Sequence, residues 1–299
     1  MKSTDIQVLN TNEYPYGKKK AVCFTFDDCQ RNSLRIAIIL KLRCIHATFF
    51  LNTKQIIDNF HYRRCRILRW MGFDLGSYRW QYHILRWMGF ELGSHTRSHK
   101  LLTSLDDDGI DNELQGSKQD LINVYGVVPA VFSYPYSKST PETDVHVLKW
   151  FLGVRYNTII DGQQCYHIRT KTTADDYKNL TDKFVNGEPK ALIIGGHGVD
   201  GKGYEPILSK NLRSWTNSLK QYNDRIWFAS FGELVMYETI KNKIECQVEE
   251  NAIFINTSKI DDILKKYPNT PCLYPVTVQV GEKKKTYTVD IRKHKMITL

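Results

Sequence analysis

Four times along the chain a short apolar run stops at residues able to do chemistry. Residues 21–26 (AVCFTF) end at Asp27-Asp28, and GFELGS ends at His95, with His99 four positions on. AVFS ends at Tyr134-Pro135-Tyr136, and ALIIGG ends at His197. Runs this short and apolar fit strands buried on both faces. Further strands are predicted at 47–51 and 226–230. Between the strands lie helical periods: 31–43 through Leu34, Ile38, Ile39 and Leu42, 109–125 through Ile110, Leu114, Leu121, Ile122 and Tyr125, and 207–222 through Leu208, Leu212, Trp215, Leu219 and Tyr222. Strand alternating with helix predicts an α/β fold with a parallel sheet or barrel. In such folds the carboxyl ends of the strands are where sites assemble, and all four polar clusters fall on that edge.

After about residue 240 the alternation stops. Residues 252–255, 274–280 and 285–291 read as strands, the last two joined through Gly281 as a hairpin. The expected division is an N-terminal extension over 1–17, a main α/β domain over 18–240 and a small β-rich appendage over 241–299. One segment inside the main domain is duplicated. ILRWMGFDLGS at 67–77 returns as ILRWMGFELGS at 84–94, with one exchange, Asp74 for Glu91. A single duplication is no solenoid, which needs about three or more stacked units. Only the second copy runs on into His95 and His99; the first has Tyr78 and Tyr82 there. The second copy is therefore expected to form the strand, and 67–83 to be an insertion that loops out or packs on the surface with Trp70 and Trp80 exposed.

An aspartate and two imidazoles make a facial three-ligand set that leaves positions open for water and substrate. Two adjacent aspartates point in different directions, so one can hold a metal while the other takes a proton. Against this, an Asp pair is often a helix cap, an H-x-x-x-H pair is often incidental, and a glycine-flanked histidine is often a turn. Their shared order and placement on one edge favour a site. The seven cysteines are odd in number, scattered and without a C-x-x-C pair, which argues against a disulfide framework and a cysteine-rich zinc site.

With these residues in view, the sequence resembles the polysaccharide deacetylases of the NodB-homology group, carbohydrate esterase family 4. The resemblance runs over about residues 18–240, through KKAVCFTFDD, HATFFL, GFELGSHTRSHKLL and VFSYPY. It implies a deformed (β/α) barrel of about seven strands and a divalent metal, usually zinc. It also implies hydrolysis of N-acetyl groups on an amino-sugar glycan. Carried over, Asp28, His95 and His99 match the metal ligands, Asp27 the catalytic base and His197 the acid that protonates the departing amine. Tyr136 matches the residue whose backbone N–H faces the oxyanion, with Tyr134 and Pro135 in the same groove motif.

Some positions depart from the family pattern. Ser133 stands where an arginine usually orients the base, and Arg155 is the candidate replacement. Cys29 stands for a glycine and Gly195 for a pocket leucine, and the tryptophan-bearing motif that tunes the acid is not identifiable. These changes keep three alternatives open: an O-acetyl esterase, a cyclic-imide or allantoin hydrolase, and a glycan-binding pseudoenzyme.

The net charge of +10 is unevenly placed. Arg63, Arg64, Arg66, Arg69 and Arg79 face only Asp74 between 61 and 83. In the tail, Lys283, Lys284, Lys285, Arg292, Lys293 and Lys295 face Glu282 and Asp290. The remainder is near neutral. This is not the broad basic face of a nucleic-acid binder, so no nucleic-acid partner is expected. The two segments could instead draw the protein to an anionic surface. No run approaches the ~18 apolar residues of a membrane helix, and the first residues lack the apolar core of a secretory signal. As it stands the chain is expected in the cytoplasm, or secreted if its N-terminus is incomplete.

Overall fold

The computed structural model describes residues 6–9, 13–28, 30, 32–58, 78–155, 159–160, 163–169 and 172–299. The first repeat copy with Trp70, and Cys29, lie outside them.

The alternation predicted from the sequence is present. β2 (Lys20–Asp27), β3 (Ala47–Leu51), β4 (Glu91–Ser94), β5 (Val131–Ser133) and β6 (Gly153–Arg155) lie side by side in parallel. On the other side of β2 come β9 (Ala191–Gly196) and β8 (Gln163–His167), also parallel, with β7 (Ile159–Ile160) antiparallel at the edge. β10 (Ile226–Phe228) pairs with the first half of β2. This is the curled parallel sheet of a deformed (β/α) barrel, with β2 at its centre and buried along its whole length.

Helices cover the sheet: α1 (Ser33–Lys41), α2 (Thr53–Asp58), α3 (Tyr78–Trp87), α4 (Asp107–Tyr125), α5 (Pro141–Trp150), α6 (Ala174–Asn186), α7 (Ser209–Lys220) and α8 (Phe231–Ile240). Local chemistry sets their ends. Asp106 accepts from Gly109 N at the start of α4, left-handed Gly126 closes it, and Ser230 and Glu233 form a capping box on α8. The face of α1 differs from the expected one. Ile36, Ala37, Ile39 and Leu40 are buried, while Ile38 and Leu42 are exposed. The helix holds more apolar residues than one face can bury, so its periodicity alone does not choose the stripe.

The second repeat copy supplies the end of α3 and all of β4. The supposed insertion is corrected in part: its last residues, 78–83, form the first half of α3, and Tyr82 is fully buried there, bonded to Ser33 Oγ at 3.2 Å. Trp80 is only half-exposed. The single exchange between the copies has a physical consequence. Glu91 Oε2 accepts from Thr48 Oγ1 at 2.6 Å and from Gly232 N at 2.7 Å. An aspartate, one methylene shorter, would not span to both.

Burial pushes the Glu91 carboxyl up, more than those two hydrogen bonds lower it, to about 7. The folded state therefore holds a proton that the unfolded chain, with an ordinary carboxyl near 4.3, has released. The associated stability is complete below pH ~4 and is lost as pH rises through about 7, by at most about 4 kcal/mol. Glu91→Gln is expected to flatten the fall in stability between about pH 4 and 7 in urea melts. An unchanged slope would remove Glu91 as its source.

The C-terminal region is β-rich, as expected. β13 (Leu273–Val280) and β14 (Lys283–Asp290) form the hairpin, with Gly281 left-handed in its turn. β11 (Glu245–Glu249), β12 (Ala252–Asn256) and β15 (Met296–Thr298) make a second antiparallel sheet, and α9 (Asp261–Lys266) lies between β12 and β13 in the chain. The N-terminal residues join this region: β1 (Ile6–Leu9) pairs with β13, and Tyr16 N donates to Thr288 Oγ1. One apolar cluster runs from Tyr14 and Trp227 through Phe231 and Tyr237 to Ile253, Val276 and Ile291, so both ends of the chain share a core with the base of the barrel. Arg292, one of the tail charges, is internal to this region. It donates to Leu264 O, Tyr267 O and Thr270 O at 2.7–2.9 Å, tying down the end of α9.

Candidate active site

β2 and β4 deliver the acidic and imidazole groups to the same end of the sheet. Asp28 Oδ1 lies 3.3 Å from His99 Nε2 and 3.7 Å from His95 Nε2. Among the described residues this trio alone brings three or more carboxylate, imidazole or thiol ligands within 4.8 Å of one another. The backbone is forced to make it: Asp28, Thr96 and His99 all have φ near +60°, a conformation that non-glycine residues seldom adopt. The turn is held from outside. Thr96 Oγ1 accepts from His99 N at 3.0 Å, and Glu113, buried on α4, accepts from Ser98 N and Ser98 Oγ.

His95 is almost wholly buried and its Nδ1 donates to Ser133 O at 2.7 Å. That bond fixes the tautomer and leaves the Nε2 lone pair facing Asp28. Burial lowers the His95 pKa against the opposing pull of Asp27 and Asp28, which keeps the ring neutral and able to ligate. Burial pushes the Asp28 carboxyl up, but the His99 hydrogen bond and the imidazoles of His95 and His197 outweigh it and bring it to about 2. At that value Asp28 is ionised throughout the neutral range, as a ligand carboxylate must be.

The donor set fits a divalent cation on geometry. Bonds of about 2.1 Å to a tetrahedral zinc place neighbouring ligand atoms about 3.4 Å apart. The two separations from Asp28 Oδ1 bracket that value.

Asp27 is used differently. Its Oδ2 accepts from the Arg155 guanidinium and, at 3.3 Å, from Ser133 Oγ. Arg155 is itself buried, donates to Thr25 Oγ1 at 2.6 Å and Ser133 Oγ at 2.8 Å, and lies 5.2 Å above the Phe50 ring. β6 is four places from β2 in the sheet, about 19 Å if the sheet were flat, so this contact exists because the sheet curls. Burial pushes the Asp27 carboxyl up, but Arg155, His95 and His197 more than reverse that and hold it below the ordinary range. The other oxygen, Oδ1, is buried with no hydrogen-bond partner among the described residues.

Of the groove motif after β5, only Tyr136 faces out. It is left-handed and exposed, and its ring meets His99 edge-on at 4.9 Å. Tyr134, expected in the groove, turns inward: it packs edge-on against Phe132 at 5.1 Å and donates to Asp144 Oδ1 at 2.7 Å. Pro135 is buried as well. His197 follows β9, half-buried, with its ring edge-on to Tyr204 at 5.3 Å. Sequence reasoning misses Ser133 and Thr25 as working parts. In the sequence Ser133 reads only as a lost arginine, yet its carbonyl serves His95 and its hydroxyl serves Asp27.

Residues 15–151 match the family described as polysaccharide deacetylase. That segment holds Asp27, Asp28, His95, His99 and Tyr136 and ends before Arg155 and His197. No curated protein matches the chain. Among solved structures, a peptidoglycan N-acetylglucosamine deacetylase is 19% identical over 73% of this chain and 88% of its own, with a TM-score of 0.51. A putative polysaccharide deacetylase from Mycobacterium smegmatis is 16% identical over 77% and 93%, with a TM-score of 0.55. A mutant of a Bacillus anthracis family 4 pseudoenzyme with restored activity is 18% identical over 74% and 69%, with a TM-score of 0.50. At these identities the likeness is one of fold.

Proposed function

We propose, for a chain whose residues 15–151 belong to the polysaccharide deacetylase family, that it is a metal-dependent hydrolase removing N-acetyl groups from an amino-sugar glycan. The observation that carries this reading is the different setting of the adjacent aspartates: Asp28 turned to two imidazoles, Asp27 turned away to Arg155 with its other oxygen unpartnered among the described residues.

Asp28, His95 and His99 would hold the cation, zinc in first place by the donor set. When bound, it supplies Lewis-acid polarisation of the acetyl carbonyl and lowers the pKa of water. The protein groups do the rest. Asp27 Oδ1 accepts the proton of the attacking water, and the Arg155 and Ser133 bonds to Oδ2 keep Oδ1 aimed into the site. The Tyr136 backbone N–H serves the developing oxyanion, positioned by the left-handed turn after Pro135. His197 gives its proton to the departing amine on the opposite flank, so acid and base sit on different strands. The unit doing this chemistry is the barrel, about 18–240, and the exposed lysines of β14, of which Lys284 pairs with Glu13 at 3.6 Å, are the part of the tail proposed to meet an anionic surface.

The test is purified protein assayed for bound metal and for acetate release from N-acetylglucosamine oligomers. The expected result is near one metal per chain and measurable release, with His95→Ala losing both. Metal without release from any N- or O-acetylated glycan would sink the deacetylase reading and favour a glycan-binding protein.

A further inference from the structure

Tyr204 has no part in the proposed hydrolysis, yet the chain builds an unusual loop to present it. The segment from 198 to 207 leaves β9 just after His197 and folds back on itself. Ile207 N donates to Gly198 O and Asp200 N to Ile207 O, both at 3.0 Å, and Val199 and Ile207 are buried in the main core. Asp200 accepts from Ser209 N at 2.8 Å at the start of α7 and pairs with Arg35 at 3.1 Å. At the tip, Gly203 has φ +90°, and a Cβ there would meet Gln30 Cδ at 2.9 Å and Gly198 N at 3.1 Å. Glu205 is also left-handed, at φ +39°. Between these two residues Tyr204 is 65% exposed, its ring edge-on to His197. Holding an exposed aromatic ring on a strained turn gains nothing for folding, because the ring buries little.

The sheet order gives the ring a counterpart. Along the strand-end arc β5, β4, β3, β2, β9, Tyr136 lies at the first end and Tyr204 at the last. Tyr136 is 62% exposed and contacts His99; Tyr204 contacts His197. The ligand and base residues lie between them. An exposed tyrosine offers a flat apolar face with a polar edge, which suits the C–H face of a pyranose ring and its hydroxyls.

Resting on the glycan-deacetylase reading, we propose that Tyr204 is a sugar-stacking platform on the His197 flank, and that with Tyr136 it makes the site prefer a glycan chain to a short acetamido sugar. A chain crossing the site meets one aromatic face on each side of the ring being deacetylated, whereas a short sugar covers only one of them.

The test compares the dimer and the pentamer of N-acetylglucosamine on the zinc-loaded protein and its Tyr204→Ala and Tyr204→Phe variants. Tyr204→Ala is expected to raise KM for the pentamer about tenfold, a loss of about 1.4 kcal/mol, with a much smaller change in kcat. The pentamer-to-dimer ratio of kcat/KM should fall about as much, and Tyr204→Phe, which keeps the ring, should restore it. A wild-type KM and length ratio in Tyr204→Ala would overturn the platform while leaving the deacetylase reading intact. Wild-type protein that releases no acetate would overturn that reading instead. Calorimetric binding of the pentamer then decides the platform: affinity weakened about tenfold by Tyr204→Ala upholds it, and absent or unchanged affinity overturns it.

Discussion

Replacing Asp27 by asparagine is expected to cut acetate release by about 10²–10⁴-fold while leaving the metal content at its wild-type level. The two carboxylate oxygens of Asp27 have different surroundings. Oδ2 faces the Arg155 guanidinium and the Ser133 hydroxyl, while Oδ1 is buried without a hydrogen-bond partner among the described residues. An asparagine of the same shape would turn its carbonyl to the guanidinium, since an amide N–H cannot face another donor. Its NH₂ would then occupy the place of Oδ1, a donor where the reaction needs an acceptor. The ligand set of Asp28, His95 and His99 is untouched by this change, so metal analysis and the rate assay should part company. Loss of metal in Asp27→Asn would mean that Asp27 is a ligand. A rate within a few-fold of wild type would mean that it is not the base.

The second large effect concerns stability. Arg155→Met is expected to destabilise the fold by about 3–5 kcal/mol at neutral pH, measured by urea denaturation, because it strands the charge of Asp27 in the barrel. It should also slow acetate release, since only the 3.3 Å bond from Ser133 Oγ would then hold the carboxylate in place. The decisive comparison is the double mutant. In the Asp27→Asn background there is no buried charge to strand, so Arg155→Met should cost less by about 2 kcal/mol or more. Equal costs in both backgrounds would show that Arg155 matters for its packing on Phe50 rather than for its pairing with Asp27.

The interior of this fold is readable from the chain wherever local pattern determines it. The fully buried β2 follows from an apolar run too short for a helix, and the strands before His95 and His197 follow from the same argument. The face of α1 is not readable, because Ile38 and Leu42 are as apolar as their buried neighbours. Nor is the inward turn of Tyr134: groove and core both accept a tyrosine, and Asp144, ten residues on, decides between them. The joining of β1 to β13 spans most of the chain, and no periodicity encodes a pairing at that separation.

The sequence by itself determined the chemical identities and their edge: a carboxylate pair, two imidazoles four residues apart, and a third imidazole, each following a buried strand. It could do so because the polar residue that ends a parallel strand lands on the same edge in every strand–helix unit. Only the tertiary structure decided what each of those groups touches. Arg155 reaches Asp27 across four strand places, Ser133 orients His95 through its carbonyl, and Tyr204 stands over His197. Each of these contacts depends on the curl of the sheet or the path of a loop, and curl is a property of the whole packed layer rather than of any one strand.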